Sequence, residues 1–249
     1  MSVRVISIFY RNCIENLFNA KILNHTQMQN VPKKIKKPWP TKKAMEQIYE
    51  QNLWGDNNTE FYSGFGSHNP AIVNPYVEVV KQFLTSFDTP ITVLDLGCGD
   101  FNIGNQFVEF TKKYIAVDIV EELINFNQEK FKADGLEFHC LDIAKDTLPK
   151  ADCVIIRQVL QHLSNAEVQK VLDKLTDFNY IILTEHIPKG IFTPNKDIIS
   201  GQGIRLKKQS GLDILKPLFN FEVQEKKELL VFNLEGDKGL ITTTFYKVF

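Results

Sequence analysis

Hydrophobic positions along the 249-residue chain fall into two rhythms. Between residues 91 and 185, short apolar runs recur at 91–95, 113–118, 135–141, 151–157 and 179–185. Each is too brief for a typical helix and rich in Ile, Val, Leu and Phe, which predicts buried strands. Helical spacing is read between them, and strands that alternate with helices predict a parallel sheet covered on both faces. Upstream, residues 69–87 predict a helix that leads into the first strand. Another helix begins at Thr41, whose hydroxyl is placed to cap it. Downstream, residues 219–234 and 240–248 are β-rich and flank the turn Glu235-Gly236-Asp237-Lys238-Gly239. Strands joined so closely must run antiparallel. The predicted fold is therefore α/β, with five parallel strands and a closing antiparallel hairpin.

The chain divides into an N-terminal part, 1–40, and a domain over 41–249. Residues 1–30 have a helical pattern, and the link Pro32-Lys33-Lys34-Ile35-Lys36-Lys37-Pro38-Trp39-Pro40 follows. Within the domain, 41–88 reads as a helical and loop cap and 89–249 as the sheet-bearing core. Hydrophobic residues make up 43% of the chain, enough for a core covered on both faces. The net charge of −1 gives no general basic footprint for nucleic acid. Cys13, Cys98, Cys140 and Cys153 lack a C-x-x-C spacing, as expected of a reduced, cytoplasmic protein. No apolar run approaches the roughly 18 residues of a membrane span.

Candidate chemistry is concentrated in Ile91-Thr-Val-Leu-Asp-Leu-Gly-Cys-Gly-Asp-Phe-Asn-Ile-Gly104. An apolar strand runs into Asp95 and then a turn through Gly97, Cys98 and Gly99, where backbone can approach a ligand and a helix start is expected. A second run ends at Asp118, roughly 20 positions after the glycine turn, the place of an acid that holds ribose hydroxyls. Asn102 stands where a dinucleotide turn has its third glycine, and Asp95 would repel a pyrophosphate. An acid at that point suits the cationic amino-acid end of S-adenosylmethionine. Residues 136–141 form a third run, which ends at Asp142-Ile143.

Val93-Leu-Asp-Leu-Gly-Cys-Gly-Asp100, with Asp118 and Asp142 in step, resembles the first motifs of class I S-adenosylmethionine-dependent methyltransferases. The resemblance implies a Rossmann-like seven-stranded sheet and S-adenosylmethionine as cofactor. Asp95, Gly97 and Gly99 would then meet the methionine end, Asp118 the ribose, and Asp142 with Ile143 the adenine, with Cys98 and Ile119 also among the cofactor-binding residues. No metal is implied.

Acceptor chemistry belongs at the carboxyl ends of the later strands. The fourth ends in Arg157-Gln-Val-Leu-Gln-His162 and the fifth in Glu185-His186. A hydroxyl acceptor needs a base, so His162 and His186 are the two candidates. Glu185 could orient His186, bind a sugar hydroxyl or join it at a metal. Arg157 is a candidate anchor for an acceptor anion or a cofactor contact. The Asn/Asp-Pro-Pro-aromatic sequence of amino methyltransferases is absent at this place. Trp54-Gly55 and Ser63-Gly-Phe-Gly-Ser67 resemble the leading segment of methyltransferases of bacterial surface-polysaccharide pathways. Arg205-Leu-Lys-Lys-Gln-Ser-Gly211 is a candidate contact for a nucleotide-sugar diphosphate, or else the solvated start of a helix. The reading that follows is O-methylation of a small sugar or nucleotide-sugar acceptor. RNA methylation, and a non-catalytic S-adenosylmethionine-binding domain, are the alternatives.

Overall fold

The computed structural model describes residues 39–56, 58–236 and 238–249. The helical pattern over 1–30 and the lysine-rich link as far as residue 38 lie outside them. Three helices precede the sheet: α1 (Thr41–Glu50), the one-turn α2 (Phe65–His68) and α3 (Pro70–Leu84). Then follow β1 (Thr92–Leu96), β2 (Lys113–Asp118), α4 (Glu121–Lys130), β3 (Leu136–Cys140) and β4 (Cys153–Arg157). The chain continues through α5 (Asn165–Leu175), β5 (Tyr180–Ile187), β6 (Glu225–Asn233) and β7 (Leu240–Lys247). They form one seven-stranded sheet in the order β3-β2-β1-β4-β5-β7-β6. The first five strands are parallel, and β7 runs antiparallel to both β5 and β6.

Alternation along β1 explains the two layers of core. Val93 faces one side with Tyr76, Val77 and Val80 of α3, while Leu94 and Leu96 face the other with Ile48 of α1 and Val168 of α5. Successive strand side chains point to opposite faces, so an apolar run is buried on both. Asp95 shares the face of Val93, at the end of the strand. Its register partners are Ala116 on β2 and Ile155 on β4, which puts it at the centre of the sheet. The strand order reverses between β1 and β4, the place where open α/β sheets form a crevice beyond their carboxyl ends.

Two helix starts are set by side-chain chemistry. Asn69 caps α3 by accepting from the Ala71 amide at 3.0 Å, with Pro70 at the first helical position. Ser164 caps α5 by accepting from the Glu167 amide, and its hydroxyl donates to Glu167 Oε2 at 2.8 Å.

Several sequence expectations need correction. Thr41 is already inside α1 and does not cap it; its hydroxyl donates to Glu167 Oε1 instead. No α-helix follows the glycine turn, only the 3₁₀ turns Gly104–Gln106 and Val108–Phe110. The stretch before β2 is short, and Phe101 and Phe107 are both buried in the core, which leaves no room for a full helix. Helical structure is also absent between β3 and β4, and β6 begins only at Glu225 rather than at 219.

Arg205 is another departure. It was expected to contact an acceptor diphosphate, but it is 1% exposed. Its guanidinium donates to the carbonyls of Leu160 at 3.1 Å and Leu163 at 2.9 Å, and to Asn165 Oδ1 at 2.6 Å. One cation thus ties the chain after β5 to the turn after β4 and the start of α5. Arg205→Met should lower the unfolding free energy by about 2–3 kcal/mol, because buried acceptors lose a charged donor. Urea unfolding checks this, with a lower midpoint expected at an unchanged slope.

Candidate functional site

A cavity of about 480 Å³ opens at the carboxyl edge of β1, β2 and β4. Asp95, Gly97, Cys98, Gly99, Asp118, Ile119, Asp142, Ile143, Arg157 and His162 all line it. The three carboxylates foreseen around one ligand do converge.

The glycine turn is shaped by two close approaches. Gly97 has φ +78°, and a Cβ there would fall 2.4 Å from Val159. Gly99 has φ +56°, and its Cβ would fall 2.4 Å from the Ser63 hydroxyl. Side chains are excluded at both positions by backbone conformation and by space. The amides of Gly97 and Cys98 donate to the Val117 carbonyl at 2.8 and 2.9 Å, which binds the turn to the end of β2.

Each acid is held differently. Asp95 accepts from the Tyr114 hydroxyl at 2.9 Å. Burial pushes its carboxyl up to about 7, with the Tyr114 hydrogen bond pulling the other way. Asp118 accepts from the amides of Gly99 and Val120, both at 3.1 Å. Burial raises its carboxyl too, against these bonds. Each of its oxygens keeps a second lone pair for a ligand hydroxyl. Asp142 accepts from the Ala144 amide at 3.0 Å and pairs with Lys145 at 2.5 Å. Leu141, Ile143 and Ile119 bring apolar surface beside it.

The cavity is roofed by residues 63–67. The Ser63 amide donates to Asp100 Oδ2 at 2.9 Å, and the Asp100 amide donates back to the Ser63 hydroxyl at 2.8 Å. His68 Nε2 meets the same carboxylate oxygen at 2.5 Å. Arg157 donates to the Gly66 carbonyl at 2.6 Å and the Ser67 hydroxyl at 3.2 Å, with its guanidinium 4.9 Å from the centre of the Tyr76 ring. Its groups therefore hold the roof, and Nε alone lacks a partner.

The two histidines separate. His162 Nδ1 lies 3.0 Å from the Gly201 carbonyl. A carbonyl only accepts, so the proton sits on Nδ1 and Nε2 carries the lone pair. Gln161 Nε2 approaches that lone pair at 3.3 Å. Burial lowers His162 to about 4, which leaves it neutral. His186 does not line this cavity; its Nε2 donates to the Lys238 carbonyl at 2.5 Å and it borders a separate depression. Glu185 is also outside, fully enclosed, with no hydrogen bond to either oxygen. Burial pushes it up to about 8 against the pull of the Arg205 charge. Neither arrangement places His186 or Glu185 beside the three acids. Among the described residues, no group of three or more His, Cys, Asp or Glu could hold a metal.

Sequence reasoning missed Tyr49, Tyr76, Tyr114, Gln158 and Glu167, which also line the cavity. Tyr76 and Tyr114 carried a signal as polar-tipped residues within apolar runs. Gln158, at the tip of β4, has φ +57°. A strained conformation in a non-glycine residue beside a ligand cavity has no signature in sequence.

Residues 93–178 match the family model of the methyltransferase domain. No curated protein sequence matches the chain. Among solved structures, the N-methyltransferase NodS of Bradyrhizobium japonicum WM9, in complex with S-adenosyl-L-homocysteine, is similar with a TM-score of 0.59 and 12% identity. That match covers 82% of this chain and 98% of NodS. The magnesium protoporphyrin IX methyltransferase ChlM of Synechocystis PCC 6803, with bound S-adenosylmethionine, is similar with a TM-score of 0.53 and 16% identity, over 84% of this chain and 98% of ChlM. A SAM-dependent methyltransferase of Leishmania major gives a TM-score of 0.56 and 14% identity, over 84% and 86%. Residues 93–178 thus carry the methyltransferase-domain match, and the similar structures share the fold around it.

The cavity fits S-adenosylmethionine in size and donor set, since ligand sites commonly span about 300–1,000 Å³. A cationic ligand beside Asp95 favours the ionised carboxylate. Binding of S-adenosylmethionine at pH 6, where Asp95 is mostly protonated, should therefore release a proton. Calorimetry in buffers of different ionisation enthalpy reads that release. Asp95→Asn should abolish the buffer dependence and weaken binding by about 10–100-fold, the loss of one charge-assisted contact.

Proposed function

We propose that the protein methylates a hydroxyl of a small, sugar-containing acceptor. Residues 41–249 would form the catalytic domain and 1–40 an appended segment. The reading is carried by one observation: the neutral His162, with its Nε2 lone pair oriented by the Gly201 carbonyl, lines the same cavity as Asp95, Asp118 and Asp142.

In this reading Asp118 receives the ribose hydroxyls, and Asp142 with Ile143 the adenine. Asp95 and the backbone of Gly97 and Gly99 receive the methionine end. The bound cofactor supplies an electrophilic methyl group on a sulfonium. The acceptor lies between the tip of β4 and the roof, flanked by Gln158, Gln161 and His162. His162 takes the hydroxyl proton on Nε2, the acceptor displacing the Gln161 amide that stands 3.3 Å from it, while Nδ1–H stays on Gly201. Arg157 acts by fixing the roof over the acceptor, not as its anchor. Transfer then depends chiefly on positioning. Cys98, Cys140 and Cys153 are free thiols, in keeping with a reducing, cytoplasmic setting. No helix among the described residues is long and apolar enough to cross a membrane.

Tritiated methyl transfer into neutral sugars, nucleotide sugars, oligosaccharides and RNA tests the acceptor. Label in a sugar ether is expected; label only in RNA, or none despite cofactor binding, overturns the reading. His162→Asn should lower kcat by about 10²–10⁴-fold, the usual worth of a general base, with S-adenosylhomocysteine affinity retained. Because burial holds His162 near 4, the acid limb of kcat/KM should fall near that pH and not near 6.5. A limb at 6.5 would exclude His162 as the base. The sign for stability is equally definite. As pH drops from about 6.5 towards 4, only the unfolded chain takes this proton, so the group's contribution to stability declines over that window.

A further inference from the structure

A second depression, of about 1110 Å³, lies beside the methyltransferase cavity and is lined by the ends of β5 and β6, the turn before β7 and the start of α3. Phe65 and Lys207 line both hollows, so the two adjoin at that pair. Lys189, Lys207 and Lys238 are all exposed at its surface, with Glu235 the one acid among the described lining residues and His186 also present. Lys189 Nζ is steadied by the Gly236 carbonyl at 2.8 Å, whereas Lys207 and Lys238 are free to reach a ligand. Phe65 is 61% exposed, a large ring standing at the border. Three ammonium groups beside an open aromatic face suit an anionic group attached to a ring that stacks.

Resting on the sugar reading above, we propose that this depression is the acceptor's distal subsite and takes a nucleoside diphosphate. The diphosphate would lie between Lys207 and Lys238, and the base would stack on Phe65. The sugar would then extend past Lys207 towards Gln158 and His162. Methyl transfer does not require such a group, so the subsite sets acceptor choice, not chemistry. His186 accordingly belongs to the acceptor's far end; its ring nitrogen is already committed to the Lys238 carbonyl, and it orders the loop that carries that lysine.

Calorimetric titration of inorganic pyrophosphate and of UDP into the full chain saturated with S-adenosylhomocysteine tests this directly. Both should bind, and Lys207→Gln/Lys238→Gln should weaken both by about tenfold or more, the loss of charge-assisted contacts. Glu235→Gln should tighten both, a gain that misfolding cannot imitate. Phe65→Ala should weaken UDP but not pyrophosphate. Absence of binding, equal affinity in the lysine variant, or displacement of S-adenosylhomocysteine by UDP would overturn the subsite. Methylation of neutral sugars without UDP binding overturns this inference and leaves the sugar reading intact. UDP binding of the expected pattern without methylation of any sugar keeps the subsite and overturns that reading.

Discussion

Carboxylates buried without cations of their own are the constraint on which this molecule is organised. Asp95, Asp100 and Asp118 are each less than a tenth exposed and stand close together around the glycine turn. Their hydrogen bonds come mainly from neutral donors: the Tyr114 hydroxyl and the amides of Ser63, Gly99 and Val120. The nearby guanidinium of Arg157 is committed to the roof and to the face of Tyr76. Asp95 therefore sits near 7 and not near its ordinary value of 3.8, a displacement worth on the order of 4 kcal/mol. Because the native state favours the protonated form, its stability falls as pH rises from about 4 to about 7. A cationic ligand reverses that penalty. Electrostatic strain left unrelieved in the folded chain is thus available as affinity for a cationic ligand, and it is selective for charge.

The roof follows from the same constraint. Buried Asp100 needs donors, and the amide of Ser63 and the ring of His68 supply them from a segment that precedes the sheet. Asn102 adds a bond to the Ser67 carbonyl at 2.8 Å, and Arg157 clasps the next carbonyl along. Satisfying one acid therefore draws residues 63–68 across the cavity. Covering the cavity excludes water from it, which strengthens each fixed dipole there.

Legibility in the sequence tracks how local the physics is. Strand positions and the antiparallel ending were readable because burial on two faces forces continuous apolar runs, and a short turn forces reversal. Asp95, Asp118 and Asp142 were readable because each ends an apolar run, and parallel strands bring their carboxyl ends to one edge. The roof was visible as Ser63-Gly-Phe-Gly-Ser67, but not its dependence on Asp100, since that contact spans 37 positions. Helix was overestimated after Gly99, where aromatic packing of Phe101 and Phe107 overrides any local preference. Arg205 was misjudged for a related reason. A basic run is normally solvated, yet its first member is drawn inward by carbonyls that only the folded turn exposes.

That misjudged arginine bears on why one histidine lines the cavity and the other does not. Arg205 fixes the carbonyls of Leu160 and Leu163 on either side of His162, and Gln161 accepts from the His186 amide at 2.9 Å. Gln161 also turns its amide nitrogen towards His162 Nε2. The tip of β5 therefore acts on the site through the turn after β4, as a buttress, while Glu185 stays enclosed and favours its neutral form. An ionised Glu185 would add a buried charge beside that turn, met only in part by the Arg205 guanidinium and the nearby backbone. A proton on Glu185 and none on His162 Nε2 are thus complementary conditions. Burial imposes both at neutral pH, and together they hold in place the turn that carries His162, whose Nε2 keeps the Gln161 amide beside it.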